Sequence, residues 1–289
     1  MLDFSRLKLE NASKVKPFLR DTYSRTCDYV FGSVMIWRDM WPLEFAIYDD
    51  KVLFLRVEET KDQVGYMLPM GLGLEQALSI LDAFHPGQKQ FYYVAQAELE
   101  TLHSRYDKVD ARKQRSTYDY LYDAHSIAAL QGRKLHGQRN HRNYFERTWA
   151  FHVEEITSAN VGDVRDFIES VAESKSSEFF LEGHRKTLEV LDNLDIYEFV
   201  SLALYAEGKV VGCTFGTLIG DTLFVTIEQA NKDYRGAYPK LASTFASAHL
   251  DAGILFVNRE DDLGDEGLRD SKLAWKPIEI IEKFSVTVE

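Results

Sequence analysis

Cysteine is nearly missing from this chain of 289 residues: Cys27 and Cys213 are the only two. They lie far apart and belong to no CxxC or His-Cys spacing, so neither a disulfide framework nor a zinc site is expected. Long apolar runs are missing too, and no segment approaches the roughly 18 consecutive apolar residues of a spanning helix. The start, Met1 to Glu10, alternates Phe and Leu with charges, which argues against a signal peptide or membrane anchor. Positive charge is in deficit, with 34 Lys and Arg against 46 Asp and Glu, a formal net charge of −12. A surface of that sign does not coat DNA or anionic membrane as a whole. What is plentiful is apolar and aromatic material, 45% and 13% of the residues. That is enough for a large core and for two domains of ordinary size, and the expected setting is reducing and cytoplasmic.

The second half has the clearer pattern. Ser201 to Ala206 and Val210 to Thr217 are apolar, β-branched runs around Glu207-Gly208-Lys209, a hairpin signal, and Leu223 to Glu228 is a third strand. Tyr238, Leu241, Phe245 and Ala248 recur at helical spacing, with Pro239 suited to the first turn and Gly253 to the position past the end. Ile254 to Val257 reads as a strand, Gly267 to Trp275 as a short helix, and Ile278 to Val288 as a last strand or bent strand pair. Upstream, Val161, Val164, Ile168 and Val171 mark one amphipathic helix, and Leu188, Leu191 and Leu194 another. This order resembles that of the GCN5-related N-acetyltransferase (GNAT) fold.

The first half repeats the sketch: a hairpin at Asp49-Asp50-Lys51, a strand from Gly65 to Pro69, a helix stripe of Leu74, Ala77, Leu78 and Leu81, and a strand from Phe91 to Ala95. The expected fold class is therefore α/β, with mixed sheets in two tandem GNAT-like acyltransferase domains, residues 1–135 and 136–289. The second should carry the active site, and the boundary should fall between Leu130 and Trp149.

Basic residues concentrate between Arg105 and Arg147, against the acidic trend of the rest. Within this island, Gly132-Arg133-Lys134-Leu135-His136 through Arg139-Asn140-His141-Arg142-Asn143-Tyr144-Phe145 combines guanidinium forks, imidazoles and amides able to grip phosphate or a nucleotide edge. The plain alternative is a solvated face that answers acids elsewhere in the fold.

Two motifs go further. Gly132-Arg133-Lys134-Leu135-His136 with Arg139-Asn140 and Phe145, and Asn258-Arg259-Glu260-Asp261-Asp262-Leu263-Gly264 with Gly267-Leu268-Arg269, Lys272 and Lys276-Pro277, resemble the hallmarks of bacterial proteins grouped with the catalytic domain of phosphatidylglycerol lysyltransferase. The resemblance implies a tandem GNAT-like transferase moving an aminoacyl group from aminoacyl-tRNA to a hydroxyl or amine. The lipid-modifying members carry a multi-helix membrane region that this sequence lacks, which counts against membrane lipid as the acceptor; the expected acceptor is a small molecule or a lipid headgroup. Charged tRNA is the expected partner, through residues 105–147, and DNA is not. No metal or resident cofactor is required. The donor is aminoacyl-tRNA or, as the alternative, acyl-CoA.

For acyl-CoA the pyrophosphate loop would be Asn231 to Tyr238, with Arg235, Gly236 and Ala237 as the binding residues, and its single glycine makes it degenerate. Glu228 and Asp261 are the candidate bases, expected to face one cleft, and Asn258 is a candidate to orient a carbonyl or amine. Arg139, Asn140, Arg259, Glu260 and Lys272 are candidate substrate-binding residues. Each has a plainer alternative: a strand-end carboxylate for Glu228, helix caps for Asp261 and Asp262, a turn role for Asn258, and ion pairs for Arg139, Arg259 and Lys272. His136 and His141 could shuttle protons or simply pack. Tyr118, Tyr120 and Tyr122 alternate as in a strand and belong to sheet or core. A catalytically silent module holding an anionic ligand is the reading from another functional class.

Overall fold

The computed structural model describes residues 2–60, 63–172 and 178–289. The chain forms two compact units. One comprises Met1–Asp119, Asp261–Asp265 and Ile280–Glu289, and the other Tyr120–Glu260 and Glu266–Glu279. The expected parting at residues 135 and 136 differs from this division, which falls at Asp119 and Tyr120 and returns two late segments to the first unit.

In the first unit a seven-stranded mixed sheet runs in the order Ser5–Arg6, Leu43–Tyr48, Val52–Thr60, Gln63–Tyr66, Lys89–Ala95, Lys283–Val288, Val109–Lys113. Asp49 and Asp50 both take positive φ, +50° and +53°, at the centre of the turn that Lys51 N closes by donating to the Tyr48 carbonyl at 2.9 Å. Gln63–Tyr66 pairs in parallel with Lys89–Ala95, and the helix Leu74–Phe84 lies between them in sequence with Ala77, Leu78 and Leu81 buried. The expected third strand is shorter than Gly65 to Pro69, ending at Tyr66, with Met70 bridging back to Leu53.

The second unit's sheet runs in the order Glu279–Ile281, Asp119–Asp123, Phe256–Asn258, Thr222–Ala230, Lys209–Ile219, Val200–Ala206, Phe151–Glu154. Helix Ala237–Ala248 buries Leu241 and Phe245 as the spacing predicts, and Phe145 of helix His136–Thr148 joins Leu204, Val211, Ala230, Ala237 and Leu241 in one core cluster. Tyr118, Tyr120 and Tyr122 are all buried. In each unit an antiparallel hairpin leads into a strand, a helix and a parallel strand, so the architecture is two tandem GNAT-like units, as expected. Among the described residues no helix is long and apolar enough to cross a membrane.

Candidate functional site

Strand Thr222–Ala230 pairs with Phe256–Asn258 only from Thr222 to Phe224, so its second half runs on beyond the end of that neighbour. A bulge sharpens the departure. Phe215 pairs with Ile227 and Gly216 with Val225, leaving Thr226 as the extra residue. Glu228 lies on this overhang, and Arg259 follows directly after the shorter strand. The Arg259 Nη2 donates to Glu228 Oε1 at 2.6 Å, with both side chains close to nine-tenths buried. Arg259 also stacks near Trp275, 4.8 Å from the ring centre, and its Nη1 is buried without a hydrogen-bond partner among the described residues. Glu228 offers its second oxygen with no hydrogen bond from the described residues.

The other groups after this strand hold the loop. Asn258 is fully buried, and its Oδ1 accepts from Glu260 N at 2.6 Å, the turn role named as its alternative. Glu260 takes φ +55°, and its carbonyl accepts from Tyr120 N. Lys272 is 8% exposed; its ammonium donates to the Arg259 carbonyl at 2.5 Å and lies over Tyr120. Lys272 therefore fixes the backbone that carries Arg259. Tyr122 donates its hydroxyl to the Lys272 carbonyl at 2.9 Å, and burial pushes that phenol well above its ordinary range.

Asp261 belongs to the other unit by its packing, so Glu228 and Asp261 are not brought together within one unit. Asp261 Oδ1 accepts from Leu263 N at 3.1 Å, and Asp262 Oδ1 from Gly264 N at 2.9 Å. Both carboxylates cap the turn rather than the helix Glu266–Ala274.

The basic island divides. In the first unit every basic residue from Arg105 to Arg115 has an acid: Arg105 takes Asp82 and Glu75, Lys108 Glu289, Arg112 Asp110, Lys113 Glu282 and Arg115 Asp262. This half is the answering face of the plainer alternative. In the second unit Arg139 donates to the carbonyls of Leu130, at φ +51°, and of Gly132, at 2.7 and 3.0 Å, so it rivets the turn before its own helix. Asn140 contacts the His136 ring at 3.3 Å on the exposed helix face. Arg133 and Lys134 are exposed and line a cavity of about 380 Å³ with Tyr122, Leu135, Trp275 and Lys276. The two motifs singled out in the sequence thus meet at one cavity, whose walls include the two rings over which Arg259 lies. Sequence reasoning counted Arg133 and Lys134 within a stretch able to grip phosphate, and placed Lys276 in the second motif without giving it a role.

At the expected pyrophosphate loop, Gly236 has φ +94°, and a Cβ there would stand 2.1 Å from the His141 carbonyl oxygen. Helix His136–Thr148 therefore presses its backbone against the loop. Arg235 turns the same way, its Nε 3.4 Å from His141 Nδ1 and its guanidinium over Tyr144. Gly236 and Ala237 open the helix Ala237–Ala248 beneath this cover. Gly236 is explained by close packing rather than by a phosphate.

The first unit has a buried charge centre that the sequence did not reveal. Lys283, with no exposure, ion-pairs with Asp28 and with Asp119 at 2.8 Å. Cys27 donates its N–H and thiol to Asp119, at 2.7 and 3.2 Å. Burial, partly offset by Lys283, pushes the Asp28 carboxyl up to about 7. Cys27, Asp28 and Asp119 hold donor atoms within 4.8 Å of one another, as a metal site would. The Lys283 ammonium already supplies cationic charge to both carboxylates.

The chain resembles an uncharacterised protein of Mycoplasmoides gallisepticum, 28% identical over 204 residues that span 66% of this chain and 62% of that protein. Among solved structures, a conserved protein of unknown function from Bacteroides thetaiotaomicron superposes with a TM-score of 0.86 at 27% identity over 100% of both chains. The structure of L-PGS from Bacillus licheniformis shares the fold with a TM-score of 0.60 at 16% identity, over 86% of this chain and 84% of that one. A family model described as phosphatidylglycerol lysyltransferase, C-terminal, matches residues 20–287, nearly the whole chain, which therefore belongs to that family.

Proposed function

We propose that the second unit is an aminoacyl transferase centre that moves an aminoacyl group from aminoacyl-tRNA to a hydroxyl or amine acceptor. The observation that carries this reading is the buried Glu228–Arg259 pair on the strand overhang, next to a cavity where both family motifs meet. In such a transfer the acceptor oxygen or nitrogen attacks the ester carbonyl, its proton leaves to a base, and the ester bond to the ribose breaks. Glu228 receives the proton through its second oxygen and returns it to the departing ribose oxygen, which leaves as the free tRNA hydroxyl. Arg259, aligned by Glu228 and by the Lys272 bond to its carbonyl, supplies positive charge where the carbonyl oxygen becomes an oxyanion. Asn258 and Glu260 set the loop rather than touch substrate.

Aminoacyl-tRNA is favoured over acyl-CoA as donor because helix His136–Thr148 covers the loop where a pyrophosphate would sit. The acceptor is a small molecule or a lipid headgroup carrying a hydroxyl or an amine.

The test is transfer of radiolabelled amino acid from charged tRNA to hydroxyl and amine acceptors, in solution and in vesicles. Glu228→Gln keeps the shape and a hydrogen bond to Arg259 and should lower transfer about hundredfold or more in a chain that still folds, with a lowered unfolding midpoint because the buried guanidinium loses its counter-charge. Full activity in that variant removes Glu228 as the base. A thermal shift with coenzyme A and none with charged tRNA replaces the donor.

A further inference from the structure

Arg133, Lys134 and Lys276 converge on the 380 Å³ cavity from two segments far apart in sequence. All three are exposed, and none of their side chains forms a hydrogen bond or ion pair with the described residues. The acid on the cavity wall, Asp123, has its Oδ1 engaged by Ser126 N at 2.7 Å, capping the helix Ala124–Ala129. The wall therefore carries three cations against one carboxylate, in a chain whose formal net charge is −12. Elsewhere the same residue types are answered, as in the run from Arg105 to Arg115. Like charges held together unanswered cost stability by repulsion, and a bound anion removes that cost.

The chemistry of the wall narrows the anion. A carboxylate is satisfied by a single guanidinium fork, whereas a phosphate ester presents two or three terminal oxygens in a tetrahedral array and suits a fork and ammonium groups arriving from different directions. Part of the remaining wall is apolar, formed by Leu135, Ile127, Trp275 and Ile278, the last 56% exposed, which suits a ligand with an uncharged part beside its anionic one. The volume lies near the lower end of small-ligand sites, about 300–1,000 Å³.

We infer that this cavity is a binding site for a phosphate ester, held by Arg133, Lys134 and Lys276. The inference deepens the transferase reading by naming the group that the same region holds; its location beside Arg259 rests on that reading, while its charge does not. The phosphate can come from a nucleotide end or from a lipid headgroup, and the shared chemistry is the phosphate.

The full chain is titrated with inorganic phosphate, adenosine 5′-monophosphate and sn-glycerol 3-phosphate, with acetate as control. Calorimetry and the fluorescence of Trp275, checked with Trp275→Phe, follow binding. Saturable binding of the phosphate compounds but not acetate is expected, weakened about tenfold or more in Arg133→Ala/Lys134→Ala and in Lys276→Gln. These positions are exposed, so unfolding midpoints should stay put. Tighter binding of the nucleotide assigns the site to a nucleic-acid end, and tighter binding of glycerol 3-phosphate to a headgroup. No saturable binding of any of the three, or equal binding by the variants, overturns the inference. Because these readouts need no catalysis, phosphate binding without aminoacyl transfer leaves the site standing and refutes only the activity, and transfer without phosphate binding does the reverse.

Discussion

The two units share an element order and differ in what they do with buried charge. In the first, Lys283 lies between Asp28 and Asp119 with the Cys27 N–H and thiol also bound, and the exposed cations from Arg105 to Arg115 all have acids. In the second, Glu228 and Arg259 pair with each other, one carboxylate oxygen and one guanidinium nitrogen are left over, and nearby cations line a cavity unanswered. A duplicated scaffold therefore teaches little about chemistry by its outline. The informative difference is whether the polar groups near the parallel strand pair are consumed by one another or left for a ligand.

The comparison breaks first at Lys283. Lys283→Met leaves two buried carboxylates without their cation and should cost about 3–5 kcal/mol in urea unfolding. A loss below about 1 kcal/mol would mean that the first unit's centre is not an ion-pair lock.

A smaller effect sharpens the same contrast through pH. The Asp28 carboxyl is raised from its ordinary 3.8 to about 7, by burial first and by Asp119 and Asp261 in addition, against the lowering effect of Lys283. The folded state then binds this proton more tightly than the unfolded chain, so the Asp28 contribution is full below about pH 4 and is lost as pH rises through about 7. Stability measured between pH 5 and 8 should fall with rising pH, and Asp28→Asn should flatten that slope. An unchanged slope in Asp28→Asn assigns it to other groups.

The smallest effect is expected at Arg112 and Lys113, whose acids Asp110 and Glu282 are themselves exposed. Alanine at either position should leave the unfolding midpoint and aminoacyl transfer unchanged, since exposed pairs contribute little. Loss of tRNA binding in these variants would extend the donor site into the first unit and dissolve the contrast.

Much of the fold was legible because its signals are local. Asp49-Asp50 and Glu207-Gly208 turn with positive φ where the sequence places hairpins, and Leu241 and Phe245 are buried where helical spacing puts them. Long-range pairing was not legible. A strand's alternation identifies its buried face but not its partner, so nothing in Lys283 to Val288 announces that its neighbours are Lys89–Ala95 and Val109–Lys113. The same limit hid the Lys113–Glu282 and Lys283–Asp119 pairs, made between residues more than 160 positions apart. At the candidate site the sequence reading set Glu228 beside Asp261, whereas Glu228 pairs with Arg259, the ion pair named as the alternative for Arg259, because the end of a short strand puts the next side chain beside its longer neighbour. Asp261, after the positive-φ turn at Glu260, +55°, packs with the first unit instead.

Strand Lys283–Val288 has a consequence for how the polypeptide is made. It occupies the slot between Lys89–Ala95 and Val109–Lys113, so the first sheet has a gap until residues 283–288 have left the ribosome. A fragment stopping near residue 135 keeps two raw strand edges and lacks the Lys283 cation, and it should aggregate where the whole chain folds. Maturation here is a closing stitch: the unit begun first is finished last.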